Sequence, residues 1–179
     1  MFASTVRGWT SQTGAFDLLS IPGYNLGLGL SPTRVAGIMG EGVASADGIF
    51  EFFEKGSLWW APTTGSTLYT SPALPFPIVA SNLVATWGDF MAVQVAFEPN
   101  ASGRNEWFLL LARLTDWEMR ILERAQKSRV RDGAFAFDSR FLYLVPGEVA
   151  DGDGYLSSFV YRYDLAAFDS IGVPLEASP

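Results

Sequence analysis

The chain has 179 residues, of which 49% are hydrophobic and 15% aromatic but only 17% charged. Its formal net charge is −7, and it contains neither histidine nor cysteine. These values exclude a disulfide framework, a thiol nucleophile and histidine catalysis, and the acidic balance is opposite to that of a nucleic-acid-binding surface. Sparse charge combined with many aromatic residues indicates that apolar surface remains for a partner.

The first 48 residues are rich in glycine, serine, threonine and proline. Their glycines break up any long helix, and residues 21–23 predict a turn. We therefore expect residues 1–48 to form an extended Gly/Pro-rich arm with one or two short strands, and residues 49–179 to form a single β-rich domain. Residues 1–14 are polar and lack the features of a secretory signal, and no apolar run is long enough for a membrane span.

Short runs of aromatic and β-branched residues begin at residue 49. Residues 49–53, 57–61 and 66–70 are separated by turn-forming segments, which predicts a small meander of three strands. Residues 90–97 and 106–114 are apolar at most positions. This pattern predicts strands that are buried on both faces.

The next segment has helical spacing. Trp117, Ile121 and Ala125 recur at every fourth position, and Thr115 precedes Glu118 by three residues, as in a capping box. The pattern predicts an amphipathic α-helix over residues 116–128.

Alternating aromatic residues follow this segment. Residues 135–137 and 141–145 lie on either side of a turn at Asp138 and Ser139, which predicts a half-buried hairpin, and residues 155–163 predict a further strand. Together the elements predict a mainly β chain. We expect an antiparallel sandwich or barrel-like sheet with one α-helix and a Gly-rich N-terminal arm.

Residues 48–71 resemble an LGFP repeat. The likeness rests on the stretch GIFEFFEKGSLWWAPTTG at 48–65, which is similar to the F-E-x-G-x-I-Y-W-x-P-x-T-G core of that family. LGFP repeats occur in secreted cell-wall proteins and are associated with envelope polysaccharide. The resemblance implies a β-hairpin and a polysaccharide partner, although the family's repeats come in tandem and this segment occurs once.

Residues 132–169 resemble one blade of a β-propeller. The likeness rests on FDSRFLYLVP at 137–146 and VYRYD at 160–164, which are similar to the D-G-R-Y-V-Y strand and the R-Y-D strand end of such blades. The segment has no second copy, so a complete propeller is not expected. The resemblance implies an aromatic antiparallel meander.

Surface aromatic residues are the predicted binding residues. The adjacent Trp59 and Trp60 must point to opposite faces of a strand, so one can join the core while the other faces a partner, a sugar or a covering loop. With Tyr69 and Trp87 they form the candidate set. Such residues are enriched at protein interfaces and also provide stacking platforms for sugars.

Without histidine, acid–base chemistry would depend on carboxylates, tyrosine or lysine. A glycosidase needs two carboxylates at a fixed separation, and Glu51, Glu54, Asp89 or Glu106 could provide them. With 19 acidic residues in the chain, some pair always fits this requirement. No catalytic residue is therefore predicted.

Asp151 and Asp153 lie in a glycine-rich loop with the oxygen ligands that calcium prefers. The loop departs from EF-hand spacing, and Asp-Gly sequences commonly form tight turns. A hairpin loop is the favoured interpretation. No metal site and no cofactor are predicted.

These observations favour a non-enzymatic structural or adaptor protein of a large assembly, with a bacteriophage virion component (capsid decoration, neck or tail) as the leading case. The expected partners are other copies of the chain and other subunits, without direct nucleic-acid contact. The expected location is the virion, after assembly in the host cytoplasm. Two alternatives stay open: a carbohydrate-binding module that uses surface aromatics to hold polysaccharide, and a carboxylate-dependent glycosidase-like enzyme.

Overall fold

The computed structural model describes residues 3–10, 14–22, 24–44, 50–64, 67–97, 106–125, 134–145 and 160–175. Within these ranges the chain is mainly β-strand. The strands are β1 (Ala3–Thr10), β2 (Gly14–Pro22), β3 (Tyr24–Leu30), β4 (Arg34–Ala44), β5 (Phe50–Pro62), β6 (Tyr69–Thr70), β7 (Ile78–Trp87), β8 (Phe90–Phe97), β9 (Glu106–Arg113), β10 (Met119–Ala125), β11 (Ala134–Phe137), β12 (Phe141–Val145), β13 (Tyr161–Asp164) and β14 (Val173–Pro174). A 3₁₀ helix spans Leu165–Ser170.

Strand pairing divides these strands among three antiparallel sheets. β1 pairs with β2. The largest sheet has the order β14–β10–β9–β8–β7–β5–β4–β3, with β6 also paired to β5, and the third sheet has the order β11–β12–β13. In the described part of the chain the largest sheet is open, with β14 and β3 as its end strands. The prediction of a mainly β, antiparallel chain is confirmed.

β8 and β9 lie at the centre of the fold because both of their faces are buried. On one face, Met91, Val93 and Leu110 belong to an apolar cluster that β4, β5 and β7 complete. On the other face, Leu109 and Leu111 belong to a second cluster with residues from the third sheet and the 3₁₀ helix: Leu142, Leu144, Leu165 and Phe168. The predicted burial of β8 on both faces is confirmed.

β3 packs closely against β7 through Gly29. A Cβ at Gly29 would lie 2.8 Å from the carbonyl oxygen of Val84, which is closer than real Cβ atoms approach backbone. Only glycine therefore fits at this position without a backbone shift. Leu28 and Leu30 alternate with Gly29 along the strand, so they point to the opposite face, where their side chains are 42% and 68% exposed.

The expected Gly-rich arm is wrong over residues 24–44. β3 and β4 pair with each other, and β4 pairs along its length with β5, so the largest sheet continues across residue 48. Glycine disfavours helices, but it also permits close packing of strands, and Gly29 uses that property. The Gly-rich composition was compatible with either structure.

The expected three-strand meander from residue 49 is also wrong over 50–62. These residues form one continuous strand, β5, with no turn at Gly56. A Cβ at Gly56 would collide with the buried side chain of Ile78. Gly56 therefore serves packing between strands and not a turn.

The amphipathic α-helix predicted over 116–128 is wrong through residue 125, and residues 126–128 lie outside the described ranges. Asp116 lies in a turn between β9 and β10, where its carboxylate accepts the Glu118 backbone N–H at 3.1 Å. Trp117 has a φ of 62°, a left-handed conformation that an α-helix does not allow. β10 then pairs with both β9 and β14.

The segment after the 3₁₀ helix is fastened to β10. β14 pairs with β10, and the Leu175 N–H donates to the Met119 carbonyl at 2.9 Å. Gly172 has a φ of 62°, and a Cβ there would collide with the carbonyl oxygen of Ile121. The close approach of this segment to β10 therefore depends on glycine at 172.

Gly172→Ala should destabilise the chain more than Gly88→Ala. Both glycines have positive φ, 62° and 52°, so each substitution costs about 1 kcal/mol of backbone strain. A Cβ at Gly88 meets nothing within 4 Å, whereas a Cβ at Gly172 meets backbone, which adds about 1–3 kcal/mol. Urea unfolding of the two variants measures the difference. Equal losses would contradict the proposed contact.

Candidate functional site

Arg34 begins β4 directly after the turn that follows β3. Its backbone N–H donates to the Ser31 hydroxyl at 3.1 Å, which fixes the start of the strand. Its guanidinium lies 4.5 Å from the centre of the Trp60 ring and donates to the Asp89 carboxylate at 2.8 Å and to the Gly88 carbonyl. Arg34 therefore joins β4 and β5 to the turn between β7 and β8.

Trp60 and Tyr69 form a stacked pair. They are cross-strand partners on β5 and β6, with ring centroids 4.2 Å apart and an angle of 12° between the ring planes. Trp60 is half-buried because it contacts both Tyr69 and Arg34, whereas Tyr69 is 45% exposed. Tyr69 is therefore the more exposed side chain of the pair.

Trp59 points to the other face of β5, as the sequence requires of adjacent strand residues. It is 0% exposed and packs in a small cluster with Val35 and Ala61. Its indole N–H finds no hydrogen-bond acceptor in the described part of the chain. Trp59 is therefore a core residue, and the binding prediction rests on Trp60, Tyr69 and Trp87.

Trp87 lies at the end of β7, and its side chain is 37% exposed. It lines a groove of about 420 Å³ between the β7–β8 turn and the third sheet. The opposite wall contains Ser139 and Arg140, from the β11–β12 turn, and Ala166 of the 3₁₀ helix. Asp89, the partner of Arg34, also lines the groove, so Arg34 connects the Trp60–Tyr69 pair to the turn that carries Trp87.

Sequence reasoning missed Arg34 and Arg140 as parts of this surface. Arg34 bonds to Asp89 across 55 residues of sequence, and Arg140 bonds to Asp164 across 24 residues. No local pattern marks either pairing. The sequence signal that was available, the turn at Asp138 and Ser139, positions Arg140 without revealing what it faces.

A second groove, of about 290 Å³, contains Trp117. Prolines at 72, 75 and 174 line it together with Leu175. Trp117 holds its left-handed backbone at this groove, and non-glycine residues in that conformation carry strain of about 1–3 kcal/mol. The predicted helix over 116–128 gave no indication of the left-handed backbone at Trp117.

Arg113 organises a network of carboxylates beside the second groove. It bonds to Asp116, to Glu118 at 2.7 Å and to Asp169 at 2.9 Å, and it lies 4.6 Å from the centre of the Phe168 ring. Its hydrogen bonds hold the pKa of the Asp116 carboxyl below its ordinary value. This network favours the ionised form of Asp116 and holds the turn before β10 against the 3₁₀ helix.

Two further carboxyls also have lowered pKa values. Asp138 accepts hydrogen bonds from the backbone N–H groups of Arg140 and Phe141 and from the Tyr143 hydroxyl, and these bonds lower its pKa. The Arg140 guanidinium, 2.8 Å from Asp164, lowers the pKa of that carboxyl. A general acid needs the opposite shift, so these three carboxyls are suited to structure and not to proton donation.

Among the described residues, no group of three or more acidic side chains is arranged to hold a metal ion. The loop with Asp151 and Asp153 lies outside the described ranges, as do the side chains of Glu51, Glu54 and Glu106. The described part of the chain also contains no helix with the length and hydropathy needed to cross a membrane.

Comparison with known proteins assigns no family to the chain, since no family model matches it and no curated protein matches it significantly. The resemblances to an LGFP repeat and to a propeller blade stay predictions. Function must therefore be argued from the surfaces described above.

Arg34→Ala should lower the free energy of unfolding by about 1–2 kcal/mol, because it removes charge-assisted bonds to Asp89 and Gly88 and the contact with Trp60. Arg162→Ala is the matched control, since Arg162 lies at the same 4.5 Å from the centre of the Phe141 ring but is exposed. Its cost should stay below about 1 kcal/mol. Urea unfolding measures the loss of unfolding free energy in each variant, and equal losses would show that Arg34 does not join β4 and β5 to the β7–β8 turn.

Acidification should destabilise the chain. A carboxyl with a lower pKa in the folded than in the unfolded chain stabilises the fold above its unfolded pKa, and this contribution is lost as the pH falls through the folded pKa. Asp116, Asp138 and Asp164 all have this shift, so the unfolding free energy should fall below about pH 4. Urea midpoints at a series of pH values measure the fall.

Asp138→Asn should make this pH dependence shallower, because it removes one of the titrating groups. Ser139→Ala, a neighbouring exposed substitution that does not titrate, should keep the wild-type dependence. If Asp138→Asn keeps it as well, the hydrogen bonds to Asp138 do not shift its pKa in solution.

Proposed function

We propose that the chain is a non-enzymatic structural or adaptor subunit of a large assembly, and that it joins its neighbours through the β3 end of its largest sheet. The observation that carries this proposal is an apolar surface that runs from a buried cluster to an exposed strand. The partners proposed are other copies of the chain and other subunits of the same assembly.

The apolar surface follows the strand register. Leu30 pairs with Val35 of β4, which pairs with Ala61 of β5, and Leu28 lies in the neighbouring row that leads to Trp59. Val35, Trp59 and Ala61 are almost fully buried, whereas Leu28 and Leu30 are 42% and 68% exposed. The apolar row therefore continues beyond the cluster and ends at solvent-exposed leucines, an arrangement typical of interfaces.

The backbone of β3 supports the same interface. The Ser31 N–H donates to the Arg34 carbonyl at 2.8 Å, and hydrogen-bonded pairs alternate along an antiparallel ladder. The backbone groups of Leu28 and Leu30 therefore point away from β4, toward an edge with which no described strand pairs. Such an edge can accept a strand from a neighbour. β14, at the other end of the sheet, is less suited because it is two residues long and contains a proline.

Other features support a structural subunit over an enzyme. The three carboxyls described above are held in their ionised form, and the arginines near them are engaged in ion pairs. Packing of the third sheet against β8 and β9 supports a sandwich-like layering as the architecture. We propose that the assembly is a bacteriophage virion and that the chain is one of its components, located in the virion. The low charge and high aromatic content of the sequence support this proposal.

Self-association of the full chain tests the proposal. Sedimentation velocity over a range of protein concentrations should show oligomers, and Leu28→Lys combined with Leu30→Lys should weaken association at least about tenfold. The physical reason is that two charges would be buried without partners at the interface.

Thr115→Lys combined with Ser170→Lys is the matched control, since both residues are exposed and lie in the β9–β10 turn and the 3₁₀ helix, which do not pair with β3. This variant should associate as the wild type does. A chain that stays monomeric at every concentration, or a β3 variant that associates like the control, would overturn the proposal.

A further inference from the structure

The groove beside Trp87 combines one open aromatic ring with polar groups from two sheets. Trp87 and Asp89 come from the β7–β8 turn, and Ser139 and Arg140 come from the β11–β12 turn. Its volume of about 420 Å³ is within the range of small-ligand sites. The proposed interface at β3 does not use these residues.

Both charged groups at the groove already have partners. One oxygen of Asp89 accepts from Arg34 at 2.8 Å, and Arg140 donates to Asp164 at 2.8 Å. A charged ligand would compete with these ion pairs. The groove is therefore matched to a ligand that carries no net charge.

Hydrogen-bonding capacity nevertheless remains in the groove. In the described part of the chain, the second oxygen of Asp89, the Ser139 hydroxyl and the Trp87 indole N–H have no partner. A purely apolar ligand would cover these groups without replacing their bonds to water, which costs about 1–3 kcal/mol for each buried group. The ligand should therefore carry hydroxyl groups.

The walls of the groove are fixed before any ligand arrives. Arg34 holds the β7–β8 turn through Gly88 and Asp89. The Leu165 N–H donates to the Arg140 carbonyl at 2.9 Å, which holds the β11–β12 turn to the 3₁₀ helix. A preorganised site loses little conformational entropy on binding.

We propose that this groove is a binding site for a neutral saccharide, with Trp87 as its stacking platform. A sugar ring offers an apolar C–H face to the indole and hydroxyl groups to Asp89 and Ser139. This ligand class matches the three properties of the groove: a partly exposed aromatic side chain, unused hydrogen-bonding groups and balanced charge.

Glycan binding by the full chain tests the site. The probes are cellohexaose, chitohexaose, maltohexaose and mannohexaose, with tetragalacturonate as an acidic probe, each titrated by isothermal calorimetry. At least one neutral probe should bind, and Trp87→Ala should weaken that binding about tenfold or more. Ser139→Ala should weaken it about threefold, because one neutral hydrogen bond is lost.

Tyr161→Ala is the matched control, because Tyr161 is an exposed aromatic residue, 45% exposed, on β13 and outside the groove. It should bind as the wild type does. Thermal unfolding of each variant establishes that it is folded, and exposed Trp87 should tolerate substitution. The site is overturned if no neutral probe binds, if only tetragalacturonate binds, or if Trp87→Ala binds as tightly as Tyr161→Ala.

Discussion

Burial of β8 and β9 on both faces is the constraint on which the rest of the structure depends. A strand pair that is apolar on both sides needs a covering layer on each. The largest sheet supplies one layer from its own β4, β5 and β7, and the third sheet with the 3₁₀ helix supplies the other. This second layer brings the β11–β12 turn next to the β7–β8 turn. The Trp87 groove is thus a consequence of how the centre of the fold is covered.

Sparse charge makes individual arginines important in this chain. Arg34, Arg113 and Arg140 each bond to carboxylates while packing against an aromatic ring, so each links elements that are distant in sequence. Exposed ion pairs normally contribute little. Here the guanidinium also covers an aromatic face, which adds packing to the electrostatic attraction.

Features that depend on the composition of one strand could be predicted from the sequence. Features that depend on contacts between residues far apart in the sequence could not. The apolar run of 90–97 predicts a strand buried on both faces, which the structure confirms. The spacing of Trp117, Ile121 and Ala125 fits a helix, but pairing with β9 and β14 and the turn at Asp116 favour a strand. The Trp87 groove joins residues about fifty positions apart in the sequence, so no local pattern could have indicated it.

The high aromatic content has separate uses that only the fold distinguishes. Trp59 fills a core cluster, Trp60 is held between strands by Tyr69 and Arg34, and Trp87 remains open at a groove. The exposed leucines of β3 lie on the face opposite Gly29 and β7, whereas Trp87 ends β7 itself. The two proposed surfaces therefore share no residue. Because the two proposed surfaces use different residues, the proposed association through β3 and the proposed saccharide binding at Trp87 can be tested by separate variants.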